Sequence, residues 1–333
     1  MINYEDRMLE GADIIIKDWM QLNKKDKLLI VTEKEHEFEA NLLKQSGLKI
    51  TKNVDIMIVT NTGMQVGIYF DENEKVFDKY NAIIGATDYS IVTTKAAKRA
   101  IDRGGKFLSL PLSVRTDESV LSYDFIRMNT VKSKLMAGII MNYIENASII
   151  KVKTDSGTNL NLYKEGRRSG FFNGVVEDGD GYSSSSFEIY VPIEENRTEG
   201  IMIVDGSLGY IGKPKYPIKL IFKNGRIVDI EGNESGNILR EYIESYSDDR
   251  MYNASELGIG LNSYSRCRGK CYIEDESAYG TYHIGFGRNI ALGGVYEASG
   301  HFDLVGLKPN IYADNRKIME RGRIIAPQPN FIT

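Results

Sequence analysis

His283, His301 and Asp303 are the residues whose types and spacing most directly suggest chemistry in this chain. The sequence holds only 3 histidines in 333 residues, and these two stand close together. His301 and Asp303 are two positions apart, and on a strand such residues project from one face. An imidazole and a carboxylate would then converge on one point, as a divalent metal requires. His283 lies on a second strand-like run, 282–286, and Gly293-Gly294 permits a short return between the two. Two imidazoles and one carboxylate make a three-ligand site with open positions. Glu256, in Ala254-Ser-Glu-Leu-Gly-Ile-Gly-Leu-Asn262, and the acids Glu274-Asp275-Glu276 add carboxylates nearby. With Glu256 and one further acid the set can hold two metals ~3.5–4 Å apart, as hydrolytic dinuclear sites do. The competing reading needs no metal: two hydrogen-bonded histidines, a turn aspartate, and a glutamate in a loop or cap.

Other residues suggest less. His36, in Glu33-Lys-Glu-His-Glu37, sits on a charged helix face and is expected to face solvent. Cys267 and Cys271 are too few for a disulfide framework, and no second Cys or His pair stands at zinc-finger spacing. They read as two free thiols. No strand-to-helix turn carries Gly-x-Gly-x-x-Gly or the Walker pattern, so a bound dinucleotide is not expected. The 42 basic and 46 acidic residues leave a net charge of -4, which argues against nucleic acid as a partner. No apolar run is long enough for a membrane span, and the first ten residues do not read as a secretory signal. A cytoplasmic protein is expected.

The elements that must position these residues fall into two patterns. Residues 4–22 have apolar positions at helical spacing, and 28–32 is a short apolar run suited to a buried parallel strand. A helix follows over 35–46, with Gly47 placed to end it, then strands over 54–60, 80–85 and 106–110 and a helix over 94–103. Strands separated by helices imply an α/β domain with a parallel sheet. Residues 118–147 read as one long helical stretch or two. Beyond 148, short β-type runs dominate, and Asn224-Gly225 is a hairpin signal between two of them. Residues 183–186 read as a polar loop, and 237–246 as an amphipathic helix. The expected division is therefore an α/β N-terminal domain over 1–147 and an α+β, strand-rich, metal-binding domain over 148–333.

Several pieces together resemble a known family. Glu256-Leu-Gly-Ile-Gly260, Gly280-Thr-Tyr-His283, Gly293-Gly294 and His301-Phe-Asp303 follow the order and rough spacing of the aminopeptidase T/aminopeptidase S metallopeptidases, family M29. Phe187-Glu188-Ile-Tyr-Val-Pro192, followed by Glu199-Gly200, is similar to that family's first metal-ligand motif; Asp155-Ser-Gly-Thr-Asn-Leu160 and Gly166-Arg167 match its entry into the catalytic domain. The resemblance implies a homodimer with a dinuclear centre of Zn, Co or Mn. Its ligands would be Glu188, Glu256, His283, His301 and Asp303. It implies hydrolysis of an N-terminal peptide bond or related amide, with Glu256 also taking the proton of a metal-activated water. Taken alone, Glu188 would be an exposed strand residue. One departure stands out: the position of the family's catalytic tyrosine, seven residues after the first histidine, is Ile290. Tyr282 or Tyr296 would have to supply the hydroxyl, or Arg288 or Asn289 polarise the carbonyl. Two alternatives follow from the same residues. One is a ring-cleaving dioxygenase of the dihydroxypyridine type, with a single Fe(II) on His283, His301 and Asp303. The other is a metal-binding relative without turnover.

Overall fold

A computed structural model describes residues 3–164, 166–176 and 181–325. The chain forms two compact units, one of residues 1–130 and 172–186, the other of 131–171 and 187–333. The first is α/β. Its strands Val54–Val59, Leu28–Glu33, Ala82–Ala86, Lys106–Ser109 and Tyr182–Ser184 lie side by side in that order, and every adjacent pair is parallel. Leu28–Glu33 is buried along its whole length, as expected of a central strand covered on both faces. Leu29, Val31, Ile83 and Phe107 pack there against Val66, Phe70 and Ala97.

Four expectations change on this side of the molecule. Helix Glu37–Leu48 runs through Gly47 rather than stopping before it. A Cβ at Gly47 would stand 3.2 Å from both the Leu28 and Val54 side chains; the glycine lets the helix lie against two strands. Residues 182–184 are a strand, not a loop, because they pair with Lys106–Ser109. His36 does not face solvent: it closes the turn Lys34–His36, is half-buried, and binds Asp88. The break between units also differs from 147/148. Helix Thr130–Ile144 places Ala137, Ile140 and Ile144 in the second core, while the pairing of 182–184 returns a later segment to the first unit.

The second unit is built on two antiparallel sheets with one core between them. The larger holds Ile149–Lys153, Asn159–Tyr163, Glu199–Val204, Ile218–Lys223, Arg226–Ile230, Asn310–Ala313, Arg316–Glu320 and Arg323–Ile324. The Asn224-Gly225 turn has φ of 50° and 79°, as a tight two-residue hairpin requires. The smaller sheet runs His301–Leu307, Thr281–Gly287, Ala254–Gly260, Phe187–Pro192, with Gly170–Asn173 at its edge. Along these strands alternate residues face the core: Ile189 and Val191, Leu257 and Ile259, Ile284 and Phe286, Phe302 and Leu304. Phe286 and Phe302 are register partners and stack with ring centroids 5.0 Å apart. Period-two alternation leaves the intervening residues on the opposite face, and these are the predicted ligands. Among the described residues no helix is long and apolar enough to cross a membrane.

Candidate metal centre

Four adjacent strands bring Glu188, Glu256, His283, His301 and Asp303 to one face of the smaller sheet. Their registers explain the convergence. Gly285 stands opposite Asp303 on one side and Glu256 on the other. His283 is opposite Gly258, and Gly260 is opposite Glu188. A bulge between Ala254 and Glu256 sets the phase. Ala254 belongs to the core, so an unbroken strand would point Glu256 into the core too; the extra residue turns it to the other face. Two glycines make room. A Cβ at Gly258 would lie 1.9 Å from Cε1 and Nε2 of His283, and one at Gly285 would lie 2.9 Å from Glu256 Cβ and His301 Cε1.

The ligand atoms form two overlapping groups. One oxygen or nitrogen from each of Glu188, Glu256 and His283 lies within 4.8 Å of the others, and the same holds for Glu256, His301 and Asp303. Glu256 is common to both, and each imidazole belongs to a different group. His283 Nε2 is 2.9 Å from Glu188 Oε2 and 3.8 Å from Asp303 Oδ1. His301 Nε2 is 3.3 Å from both Glu256 Oε2 and Asp303 Oδ1. The Glu188 and His283 side chains are 6% and 2% exposed, whereas that of His301 is 26% exposed, so solvent reaches the cluster from the His301 side.

His301 Nδ1 is 2.8 Å from the Arg288 carbonyl. A carbonyl only accepts, so Nδ1 carries a proton and Nε2 faces the two carboxylates, as in metal-binding histidines oriented by a backbone oxygen. Burial raises the Glu256 carboxyl above its usual range, with Glu188 and Asp303 adding to the rise and His301 opposing it. Burial disfavours the charged imidazoles, yet the surrounding carboxylates raise His283 to about 9 and lift His301 well above its ordinary value.

One neighbour was not singled out by the sequence reading. Glu276 lies on the short helix Tyr272–Ser277 and is buried. Burial, with Glu188, Asp303 and Glu256 nearby, raises its carboxyl far above the normal range. Glu276 Oε2 is buried without a hydrogen-bond partner among the described residues, while Asp303 Oδ1 has only the two imidazoles near it. A buried, unpaired carboxylate oxygen is costly, and a divalent cation would satisfy it. The donor set of imidazoles and carboxylates, the unpaired Glu276 oxygen and the glycine-cleared space all fit a metal.

The residues considered as tyrosine substitutes are placed elsewhere. Ile290 sits in the turn Ile290–Leu292 and is 40% exposed. Tyr282 alternates with His283 and faces the core, where its hydroxyl is 2.9 Å from that of Thr158. Asn289 and Tyr296 belong to the connection between the histidine strands: Asn289 Oδ1 accepts from the Tyr296 N–H at 3.0 Å, and its Nδ2 donates to Glu195 at 2.7 Å. Cys267 and Cys271 are free thiols, and burial pushes both up, which disfavours the thiolate form.

Glu195 holds that connection in place. Its buried carboxylate accepts from Arg167 at 2.9 and 2.7 Å and from the Val295 N–H at 3.0 Å. Burial alone would raise this carboxyl, but Arg167, Val295 and Asn289 hold it below its usual range. A depressed folded-state value stabilises the protein above the unfolded value of about 4.3, and the contribution is lost as pH falls through the folded-state value. Arg167→Ala is expected to cost about 3–5 kcal/mol at neutral pH, because it strands a buried charge. It should also move acid unfolding to higher pH. Urea unfolding at pH 7 and an acid titration followed by circular dichroism check both.

Comparisons with known proteins bear on what this centre does. Residues 123–326, more than half of the chain, match the family model described as NicX: 2,5-dihydroxypyridine 5,6-dioxygenase. A 2,5-dihydroxypyridine 5,6-dioxygenase of Pseudomonas putida is 26% identical over 148 residues, 40% of this chain and 41% of that protein. The matched stretch thus spans less than half of that relative's length. The solved 2,5-dihydroxypyridine dioxygenase of Pseudomonas putida KT2440 has a TM-score of 0.81 at 14% identity, covering 98% of this chain and 99% of that one. AmpT from Thermus thermophilus has a TM-score of 0.68 at 14% identity, covering 97% and 100%. Likeness at that identity is likeness of fold. The expectation of an aminopeptidase, and with it of a hydrolase or metalloprotease, is therefore overturned: the family match is to a dioxygenase, and AmpT shares only the architecture. The ligand residues alone did not separate the two chemistries; the departure at Ile290 leaned toward the dioxygenase alternative without deciding for it.

Proposed function

Because the chain belongs to the NicX family of 2,5-dihydroxypyridine 5,6-dioxygenases, we propose that it opens the ring of a dihydroxylated pyridine with molecular oxygen, using iron(II) held on the glycine-cleared sheet face. The observation that carries this reading is the group Glu256, His301 and Asp303, which meets solvent at the partly exposed imidazole of His301. This group has one imidazole and two carboxylates rather than the two imidazoles and one carboxylate common in iron(II) oxygenases, with His283 in the adjoining group. Iron(II), when bound, would relay electrons from the electron-rich ring to oxygen, the ring itself being what is oxidised.

The protein's own residues do the rest. His301 and Asp303 present their ligand atoms from one face of one strand, and the Arg288 carbonyl fixes the His301 ring. Glu256 joins the outer group to the inner pair Glu188 and His283. Glu276 stands buried beside these carboxylates, and burial with their charge raises its carboxyl. A dihydroxypyridine must lose a hydroxyl proton to become electron-rich, and the carboxylates facing His301 are the bases within reach of that mouth. Both oxygen atoms end in the product, so no external reductant is consumed.

The test is an oxygen-uptake assay on protein purified and loaded with iron(II) without air, using 2,5-dihydroxypyridine. Uptake of one O2 per ring, with both atoms of 18O2 in the opened product, is the expected result. Iron-loaded, folded protein that consumes no oxygen with this substrate would overturn the reading. Iron counted on the same sample tells whether the inner group is filled as well.

A further inference from the structure

The first unit carries a second convergence of possible ligands, apart from the sheet face just described. Its strand order places Leu28–Glu33 between Val54–Val59 and Ala82–Ala86. The chain therefore leaves the central strand toward one side and returns on the other. In open parallel sheets the crevice at such a switch point, beyond the carboxyl ends of the strands, is where ligands bind. Glu33 is the last residue of the central strand, and Asp88 lies just past the end of its neighbour Ala82–Ala86. His36 closes the turn that follows Glu33.

These three side chains are already organised. The Asp88 N–H donates to Glu33 Oε2 at 2.6 Å. His36 Nε2 is 2.7 Å from Asp88 Oδ1, and Asn61 Nδ2 donates to Asp88 Oδ2 at 2.8 Å. One ligand atom from each of Glu33, His36 and Asp88 lies within 4.8 Å of the others. Glu33 is 0% exposed, and its Oε1 has no hydrogen-bond partner among the described residues. Burial pushes this carboxyl up to about 7; the Asp88 N–H opposes the rise and the Asp88 carboxylate adds to it. A cleft of about 380 Å³ opens beside His36 and Asp88, and Glu35, Glu39, Asp117 and Glu118 line it with no lysine or arginine. A buried, unsatisfied carboxylate oxygen under an acidic cleft calls for a cation.

We propose that Glu33, His36 and Asp88 form a divalent-cation site in the first unit, with its remaining coordination positions open to the acidic cleft. An imidazole with two carboxylates suits zinc, manganese or iron(II). Asn61 would hold Asp88 in place from outside the coordination sphere, as hydrogen-bonded partners of metal-binding carboxylates do.

Zinc alone is the probe. Chain freed of metal is dialysed against Zn2+ and analysed for metal per chain, as wild type and as Glu33→Gln, His36→Gln and Asp88→Asn. The expected result is one equivalent fewer in each variant than in wild type, with iron-dependent ring cleavage retained. Equal stoichiometry in folded variants would overturn the site. Hydrogen exchange on the wild-type chain needs no variant: Zn2+ should slow exchange of amides in 33–39 and 86–90. Unchanged exchange there under saturating Zn2+ would equally overturn it.

Discussion

His301→Ala is expected to abolish ring cleavage and to remove iron from the outer group. Removing a residue that merely orients a metal ligand costs about 10–100-fold in affinity or activity, so removing the ligand itself should cost at least the upper end of that range. His301 is the ligand that solvent reaches, with its side chain 26% exposed. Its loss opens no core cavity, and the fold should survive. Oxygen uptake, elemental iron and circular dichroism on the same preparation separate the effects. A folded variant that keeps wild-type iron and rate would place the chemistry elsewhere in the molecule.

Gly258→Ala should have the second largest effect, although it touches no charge. The added methyl would fall 1.9 Å from Cε1 and Nε2 of His283. Gly258 is register-paired on both sides, to His283 and to Tyr190, so its backbone has little freedom to retreat. The ring must move instead, and His283 then leaves Glu188. Overpacking of this kind costs about 1–3 kcal/mol, read by urea unfolding. The sharper readout is metal: the variant should lose the equivalent held by Glu188, Glu256 and His283 if wild type binds one there. Gly285→Ala should be milder, since its nearest conflicts are at 2.9–3.0 Å. A fully stable Gly258→Ala protein with unchanged metal content would mean that the inner group does not bind metal.

The sheet face was legible from the sequence because it depends on a local rule. His301 and Asp303 are two apart, and a strand puts both on one side. Gly258 and Gly260, and Gly285 and Gly287, repeat the same spacing, a signal of a cleared surface that could have been read. Glu256 was less secure than it looked, since only the bulge turns it away from the core. Glu276 was not separable from Glu274 and Asp275, because burial under a short helix leaves no periodic mark. Glu195 and the return of residues 182–184 to the first sheet depend on partners far along the chain, which local pattern does not encode. Gly47 shows the converse: a glycine that reads as a stop signal serves instead as a point of close approach. The reaction was the least legible feature, since hydrolytic and oxidative centres draw on the same side chains.

The path of the chain through the smaller sheet has a kinetic consequence. Phe187–Pro192 pairs with Ala254–Gly260, and the intervening residues build three strands of the other sheet and a helix before the pairing can close. Such long-range antiparallel contacts must bear the entropy of loop closure before they gain any stability, and they slow folding. Glu188 therefore meets Glu256 only through a contact between residues more than sixty positions apart. The inner ligand group forms only when this long-range pairing closes, so metal capture there would report that Phe187–Pro192 and Ala254–Gly260 have met.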